Sequence, residues 1–439
     1  MKKKNTARVR STVCICRVCN LRHNHSTMGF WWSKKENSKV ETSNVSNCFL
    51  KNGSMFLQQL IADCNGISNP IRMFTSDQIS KVNDHFDPNS SIVEDTDTYF
   101  TWYKGEIEGR PCAIKRYTER LYVEEEMAYN DIVLSARVSN HSGFLKLIGC
   151  CLQFPRPVLV FENLGYTVLN ERGTVGYESE PLLPWNLRLK IAKEIAIAIT
   201  YLHTAFSRII IHRDIKATNV FLDKNGTAKL TDFFLAVSLP EGKSSLEDTV
   251  MGTAGYLDPN YCTTNVVTEY SDVFSFGILM LVLLTGKQPY KPGYHDWKFL
   301  ENVKDLHERG EPVEFGGDSN DMKPVQMKMF LELALRCCEK NKENRPKMIL
   351  VAKEIKLIET GSFYCSEMPE NGSIASSRMG ACFFRNSWPT ATAYQTLSDC
   401  SLRIKSPRPQ VTSIPSLSFK IQNLSVSMAS LKADLTRSR

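Results

Sequence analysis

The stretch of sequence that decides the fold is Ile211-His212-Arg213-Asp214-Ile215-Lys216-Ala217-Thr218-Asn219. A second motif follows it, because Asp232 lies eighteen residues after Asp214 in Thr231-Asp232-Phe233-Phe234. Each stretch alone could arise by chance, since Asp-Phe is a common pair in protein cores. Three more stretches accompany them in a fixed order: Cys112-Ala113-Ile114-Lys115 upstream, and residues 252–259 and 271–277 downstream. Five motifs in one order indicate a single known architecture.

This set of motifs resembles the eukaryotic protein kinases, whose catalytic loop reads His-Arg-Asp-x-x-x-x-Asn. The resemblance implies a role for each polar residue. Asp214 would accept the proton of a substrate hydroxyl, and Lys216 would lie beside the γ-phosphate of ATP. Asn219 and Asp232 would hold Mg²⁺, and Lys115 would bind the α- and β-phosphates.

The same resemblance implies further nucleotide-binding residues in the first half of the chain. Ala113 precedes Lys115 on one predicted strand, and Glu162 and Leu164 follow the next predicted strand. In kinases a helix Glu pairs with the strand lysine. The best match by spacing is Asp131, which is one methylene shorter, so the sequence predicts a weakened pair.

The glycine-rich loop that covers the phosphates in kinases is missing. Its three glycine positions fall on Asp95, Asp97 and Phe100. Glycine lets the backbone approach phosphates and present its N–H groups, whereas two aspartates would repel a triphosphate. Trp102 stands where a small aliphatic side chain would pack against adenine. We therefore expect ATP and Mg²⁺ to bind weakly or not at all.

Two further positions depart from the kinase pattern. Phe234 replaces the glycine of Asp-Phe-Gly, and its Cβ restricts the backbone swing that brings Asp232 onto a metal ion. Asn260 replaces the Glu of Ala-Pro-Glu, whose carboxylate normally pairs with an arginine, here Arg345. The sequence therefore predicts that Arg345 keeps at best a neutral hydrogen-bond partner, at a cost in stability.

Arg213 and two threonines are candidate regulatory residues. In regulated kinases such an arginine binds a phosphate carried by the activation segment. Thr249 and Thr253 lie in the corresponding segment. Both threonines are also typical of turns and peptide-docking loops, and we favour that interpretation.

The kept catalytic loop and the lost phosphate loop together resemble a narrower group, the ZRK pseudokinases of plant immunity. These are relatives of the wall-associated and receptor-like cytoplasmic kinases. The stretches that carry the resemblance are residues 28–32, 69–71, 141–151, 232–234 and 238–242. The resemblance implies little phosphotransfer and an adaptor role. Its implied partners are a coiled-coil NLR immune receptor and receptor-like cytoplasmic kinases.

The periodicity of the chain predicts an α+β class, the bilobal protein-kinase fold. A β-rich N-lobe is expected over residues 90–163 and an α-rich C-lobe over 164–360. Strands are predicted at 112–115 and 157–161, and helices at 127–138, 187–202, 273–284 and 327–338.

Flanking regions complete the predicted domain organisation. A helical extension is expected over 51–89, a flexible basic leader over 1–50 and a disordered Ser-rich tail over 361–439. The formal net charge of +7 belongs to the ends, because residues 1–40 hold ten Lys or Arg and one acidic residue. The middle of the chain is acidic, so we predict no nucleic-acid partner.

The leader also contains a candidate membrane-contact segment, residues 29–39. Met28-Gly29-Phe30-Trp31-Trp32-Ser33 fits the N-myristoylation pattern if translation begins at Met28, and three lysines follow. No apolar run approaches the length needed to span a bilayer. We therefore expect a cytoplasmic protein with a candidate peripheral contact at the plasma membrane.

Two functions fit these residues. The lost glycine-rich loop, with Phe234 and Asn260, favours an inactive serine/threonine kinase that serves as an adaptor in plant innate immune signalling. The alternative is a weakly active ATP-dependent serine/threonine kinase of the wall-associated or receptor-like cytoplasmic type. It rests on four retained residues: Lys115, Asp214, Asn219 and Asp232.

Overall fold

The computed structural model describes residues 38–64, 71–82, 86, 91–92, 99–118, 125–163, 165–177, 179–291 and 298–361. Several sequence-based predictions lie outside these residues. They are the leader up to residue 37, the tail from residue 362, and the positions Asp95, Asp97 and Leu164.

A five-stranded sheet forms the N-lobe. Its strands are β1 (Arg72–Met73), β2 (Phe100–Ile107), β3 (Arg110–Tyr117), β4 (Leu147–Cys151) and β5 (Val158–Glu162). The order is β1-β4-β5-β3-β2, with β1 parallel to β4 and the other pairs antiparallel. β3 lies between two strands, and its residues 112–115 are buried on both faces. The predicted strands at 112–115 and 157–161 fall on β3 and β5.

Two helices accompany the sheet. Helix α2 (Ser76–Val82) is capped at its N-terminus, because the Thr75 hydroxyl accepts a hydrogen bond from the N–H of Gln78 at 3.2 Å. Helix α3 (Glu125–Val138) packs its apolar side, including Ile132 and Ala136, into the core beside the sheet. This packing points Asp131 towards β3.

Helix α1 (Ser38–Cys64) lies before the sheet and packs along α3. It begins inside the stretch predicted as a flexible leader, so that boundary is corrected. Its Ser- and Asn-rich composition does not indicate the tertiary contact that Asn52 makes. Asn52 is 1% exposed, and its amide donates to the carbonyls of Leu152 at 2.8 Å and Phe154 at 2.9 Å. Its amide oxygen accepts from the Tyr129 hydroxyl at 2.6 Å.

Helices dominate the C-lobe, and α4, α6 and α8 lie where helices are predicted. They are α4 (Trp185–Thr204), α5 (Pro259–Thr264), α6 (Glu269–Thr285), α7 (Phe299–Glu308), α8 (Pro324–Cys337) and α9 (Met348–Thr360). The core lies between α4, α6, α8 and α9.

Helix α6 is the centre of the C-lobe and is buried on all sides from Ser271 to Thr285. Thr268 caps its N-terminus in a capping box with Ser271. A Cβ at Gly277 would lie 2.6 Å from the Cys338 sulfur and 2.8 Å from the Cys337 Cβ. Glycine therefore permits the close approach of α8 to α6.

Short strands position the loops of the C-lobe. They are β6 (Thr167–Val168), β7 (Ile210–Ile211), β8 (Val220–Leu222), β9 (Ala228–Leu230), β10 (Val237–Ser238), β11 (Ser245–Glu247) and β12 (Val266–Thr268). They form the sheets β6-β8-β9, β7-β10 and β11-β12. The catalytic-loop motif connects β7 to β8, and Asp232 directly follows the β8-β9 hairpin.

Across the described ranges, no helix has both the length and the apolar character needed to cross a membrane. Helix α6 has an apolar sequence but only 17 residues, and other helices cover it.

Substitution of Asn52 tests the attachment of α1. Asn52→Ala would leave two carbonyls and one hydroxyl without their amide partner, so we expect a loss of about 2–4 kcal/mol in the free energy of unfolding. Urea denaturation measures this loss. Asn47 lies on the same helix and is exposed, so Asn47→Ala should change the free energy by less than about 0.5 kcal/mol. Equal effects of the two variants would contradict the docking of α1.

Candidate functional site

Asp272 of α6 fixes the backbone of the catalytic loop. Its carboxylate is fully buried and accepts from the N–H of His212 at 2.8 Å and of Arg213 at 2.9 Å. The His203 ring contacts the same carboxylate at 2.9 Å. Arg213 has a φ of 66°, a left-handed conformation that costs energy in a non-glycine residue. The Asp272 hydrogen bonds hold it there.

The predicted catalytic residues lie together. Asp214 is 1% exposed, and one of its oxygens accepts from the Thr253 hydroxyl at 2.5 Å. Its other oxygen lies 3.0 Å from Lys216 Nζ and accepts from the Asn219 amide at 3.0 Å. Burial works to raise the pKa of Asp214, but Lys216 and the Thr253 hydrogen bond outweigh it and lower the pKa. Asp214 is therefore an ionised carboxylate in a compact polar cluster.

Lys115 pairs with Asp131 and Asp232 in the interior. Its ammonium lies 2.7 Å from an Asp131 oxygen, so the shorter side chain does reach the lysine. The second ion pair joins Lys115 to Asp232, and the lysine side chain is completely buried. Burial alone would lower the pKa of Lys115, but the charges of Asp131 and Asp232 raise it. Lys115 is therefore charged and has two counterions from its own chain.

Further groups donate hydrogen bonds to the carboxylate of Asp131. Asp131 also accepts from the Tyr117 hydroxyl at 2.6 Å, from Ser135 at 3.0 Å and from the N–H of Phe233 at 3.1 Å. Burial raises the pKa of Asp232, the charge of Asp131 adds to this rise, and Lys115 opposes it. The Asp232 carboxylate thus has its partner in Lys115.

Aromatic rings enclose Lys115. The ammonium lies 3.7 Å from the centroid of the Phe100 ring and 5.3 Å from the centroid of the Phe234 ring. Tyr117 and Trp102 contribute rings at 5.3 Å and 5.7 Å. We call these four residues with Lys115 the lysine cage. Cations are stabilised by the faces of aromatic rings, and more strongly where water is excluded.

Trp102 of the lysine cage also packs against other aromatic rings. It is 3% exposed, and its ring centroid lies 5.2 Å from that of Phe161 and 5.1 Å from that of Phe221. Ala113, predicted to be a nucleotide-binding residue, is 1% exposed and pairs in register with Phe161. Glu162 ends β5 and pairs with Cys112 at the edge of this region. The Trp102 ring thus packs between Phe161 of β5 in the N-lobe and Phe221 of β8 in the C-lobe.

Two predicted substitutions lie in the same aromatic cluster. The rings of Phe100 and Phe234 contact each other at 5.4 Å, and Phe234 also contacts Tyr99 at 5.5 Å. Asp232 has a φ of 72°, a strained backbone held by the lysine pair. The residues present do not fit a bound Mg²⁺-ATP, because Phe100, Trp102 and Phe234 enclose the lysine and Asp232 is already paired.

The expectation for Arg345 is wrong. Its guanidinium forms a two-armed ion pair with Asp258, with both N–O distances at 2.8 Å and both side chains buried. Asp258 also caps α5. Asn260 instead donates its amide to the Lys340 carbonyl at 2.7 Å. The carboxylate two residues before Asn260 therefore takes the place of the missing Glu.

The candidate regulatory residues lie in two different contacts. Arg213 binds Asp248 at 2.7 Å and the Tyr261 hydroxyl at 3.2 Å. Thr253 belongs to the Asp214 cluster, whereas the Thr249 side chain is exposed and its carbonyl accepts from Tyr261 at 2.5 Å. The Thr253 side chain therefore belongs to the catalytic cluster, whereas the Thr249 side chain does not.

Sequence reasoning missed Tyr117, Asp248 and Asp258. Tyr117 lies two residues after Lys115 on β3, so strand alternation places both side chains on one face. That spacing is a signal that could have identified Tyr117. Asp248 and Asp258 contact residues far away in the sequence, and only tertiary structure brings these pairs together.

The two lobes, the catalytic loop and the buried lysine define a protein kinase domain. The sequence matches the protein kinase domain family over residues 103–356, a family that in general binds ATP and Mg²⁺. Serine/threonine-protein kinase ZRK1 of Arabidopsis thaliana is 52% identical over 338 residues, covering 73% of this chain and 95% of the relative. The chain therefore belongs to the ZRK family of protein kinases.

Two other relatives from the same plant are named as pseudokinases. Non-functional pseudokinase ZRK2 is 50% identical, with 74% of this chain and 94% of the relative covered. Non-functional pseudokinase ZED1 is 46% identical, with 71% of this chain and 96% of the relative covered. The family thus includes members named as kinases and members named as pseudokinases.

Asp258 and Asn260 provide a matched test of the reassigned ion pair. Asp258→Asn keeps the size of the side chain but leaves the buried Arg345 charge without its counterion, so we expect a loss of about 3 kcal/mol in the free energy of unfolding. Asn260→Ala removes one exposed hydrogen bond and should cost about 0.5–1 kcal/mol. Chemical denaturation of both variants shows which of them loses more free energy of unfolding. The reverse order would contradict the Asp258 assignment.

Proposed function

We propose that the chain is a pseudokinase that acts as an adaptor in plant innate immune signalling. The observation that carries the first half of this proposal is the lysine cage. The buried lysine has two carboxylate partners and four aromatic rings around it, and this supports weak or absent binding of phosphates. A kinase domain that keeps its fold without this site serves best as a binding surface.

The second half of the proposal concerns partners and location. Membership of the ZRK family supports a coiled-coil NLR immune receptor and receptor-like cytoplasmic kinases as the proteins bridged. We propose a cytoplasmic place of action, with contact at the plasma membrane surface through residues 29–39. No nucleic-acid role is proposed, because the basic excess lies in the ends of the sequence.

One observation favours the second candidate, a weakly active serine/threonine kinase. Asp214, Lys216 and Asn219 form an intact polar cluster. This cluster could assist transfer if the lysine cage opened and admitted Mg²⁺-ATP. The two candidates therefore differ in whether the cage opens.

Nucleotide binding tests the lysine cage directly. Because a ligand that binds the folded state raises its melting temperature, we expect Mg²⁺-ATP to shift that of the natural chain by less than about 0.5 °C. Phe100→Gly with Trp102→Val removes two rings, and this double variant should gain a shift of about 2 °C or more. Differential scanning fluorimetry measures both shifts.

A third variant controls for general loosening of the N-lobe. Phe86 packs against Tyr103 and Phe154 in a separate cluster, so Phe86→Leu removes an aromatic ring without opening the cage. It should gain no response to Mg²⁺-ATP. A shift in the natural chain, together with radiolabel transfer that Asp214→Asn abolishes, would establish the kinase instead.

Co-purification tests the adaptor role. We expect the tagged chain to recover a coiled-coil NLR receptor from plant extract under non-denaturing conditions, with identification by mass spectrometry. Asp214→Asn should recover the same receptor, because an adaptor needs no transfer. Recovery that depends on Asp214, or a folded chain that recovers no NLR receptor, would contradict this half of the proposal.

A further inference from the structure

The Arg213 side chain lies in a built anion-binding position. Its guanidinium is almost fully buried, and its Nε donates to the carbonyl of Leu235. Nη1 donates to a carboxylate oxygen of Asp248 at 2.7 Å and to the Tyr261 hydroxyl at 3.2 Å. The Asp248 carboxylate supplies the negative charge that offsets this buried guanidinium.

Asp248 is held in place by its own neighbours. The N–H of Asp248 donates to the carbonyl of Asn265 at 2.8 Å, which continues the pairing of β11 with β12. Its second carboxylate oxygen accepts from the N–H of Thr249 at 2.8 Å. The Tyr261 hydroxyl, which also accepts from Arg213, donates to the Thr249 carbonyl at 2.5 Å. The carboxylate thus joins the catalytic loop, β11 and α5.

This arrangement has the chemistry of a phosphorylated activation segment without a phosphate. A phosphate on such a segment orders it by binding an arginine through charge-assisted hydrogen bonds. A carboxylate is smaller and carries one charge, but its two oxygens can make the same kind of contact. In this chain the anion that Arg213 binds is the Asp248 carboxylate, which is part of the amino-acid sequence.

We propose that Asp248 is a permanent substitute for an activation-segment phosphate. It holds residues 245–268 in their folded arrangement without modification of Thr249 or any other residue. The surface formed by β11, β12 and α5 is therefore present in the newly made chain and needs no upstream kinase. This proposal does not depend on the adaptor role or on the lysine cage.

Hydrogen exchange on the full chain tests the proposal. The chain is produced in bacteria and shown by intact mass to be unmodified. We expect protected amides in β11 and β12, and in Asp248→Asn we expect exchange there to accelerate at least about tenfold. Glu247 is exposed and adjacent, so Glu247→Gln should leave the exchange unchanged.

Two measurements separate the lost anion from a general loss of structure. Asp248→Ala leaves an empty anion position at Arg213, so millimolar inorganic phosphate should restore protection in β11, whereas chloride at equal ionic strength should not. Exchange in α4 and α6 should stay as in the natural chain, which shows that the C-lobe is folded.

Several results would overturn the proposal. Unchanged exchange in Asp248→Asn, an equal effect of Glu247→Gln, or protection in the natural chain only after phosphorylation would each do so. Failure of phosphate to restore protection in Asp248→Ala would also count against it. None of these results bears on Mg²⁺-ATP binding, so the proposed function is judged separately.

Discussion

The burial of a single ammonium group governs the N-lobe of this protein. Lys115 has no exposed surface, so its charge must be neutralised from within the chain. Asp131 supplies one counterion from α3, and Asp232 supplies the other from the segment after β9. The position of α3 and the strained backbone at Asp232 therefore follow from one electrostatic requirement. The aromatic rings of the lysine cage exclude the water that would otherwise solvate the ammonium.

The catalytic loop keeps its residues in a chain whose glycine-rich loop is lost, and its buried contacts give a structural reason. Asp272 orients the loop backbone, and Asn219 donates both to the Asp214 carboxylate and, at 2.8 Å, to the Asp214 carbonyl. Each of these polar groups is buried, and loss of one partner would leave another unsatisfied. Residues inherited for chemistry can thus be retained because the fold needs their hydrogen bonds.

Much of the fold follows from sequence pattern. The helices α3, α4, α6 and α8 and the strands β3 and β5 lie where periodicity and strand composition predict them. The start of α1 does not, because Asn52 finds its partners on α3 and after β4, far away in the sequence. In the site, motif spacing identifies Lys115, Asp214 and Asp232. The pairing of side chains is harder to predict from sequence. Arg345 pairs with Asp258 and not with residue 260, and motif spacing does not reveal this shift of two residues.

Helix α1 gives the lobes a second connection. Arg208 of the C-lobe donates to the Ala62 carbonyl near the end of α1 at 3.0 Å, and also to the carbonyls of Leu239 and Ser238. Asn52 fixes the middle of the same helix to the N-lobe. Helix α1 therefore contacts both lobes, through Asn52 to the N-lobe and through the Ala62 carbonyl to the C-lobe. Two attachments restrict the relative movement of two lobes more than one connection does, so the contacts of α1 favour a single arrangement of the lobes.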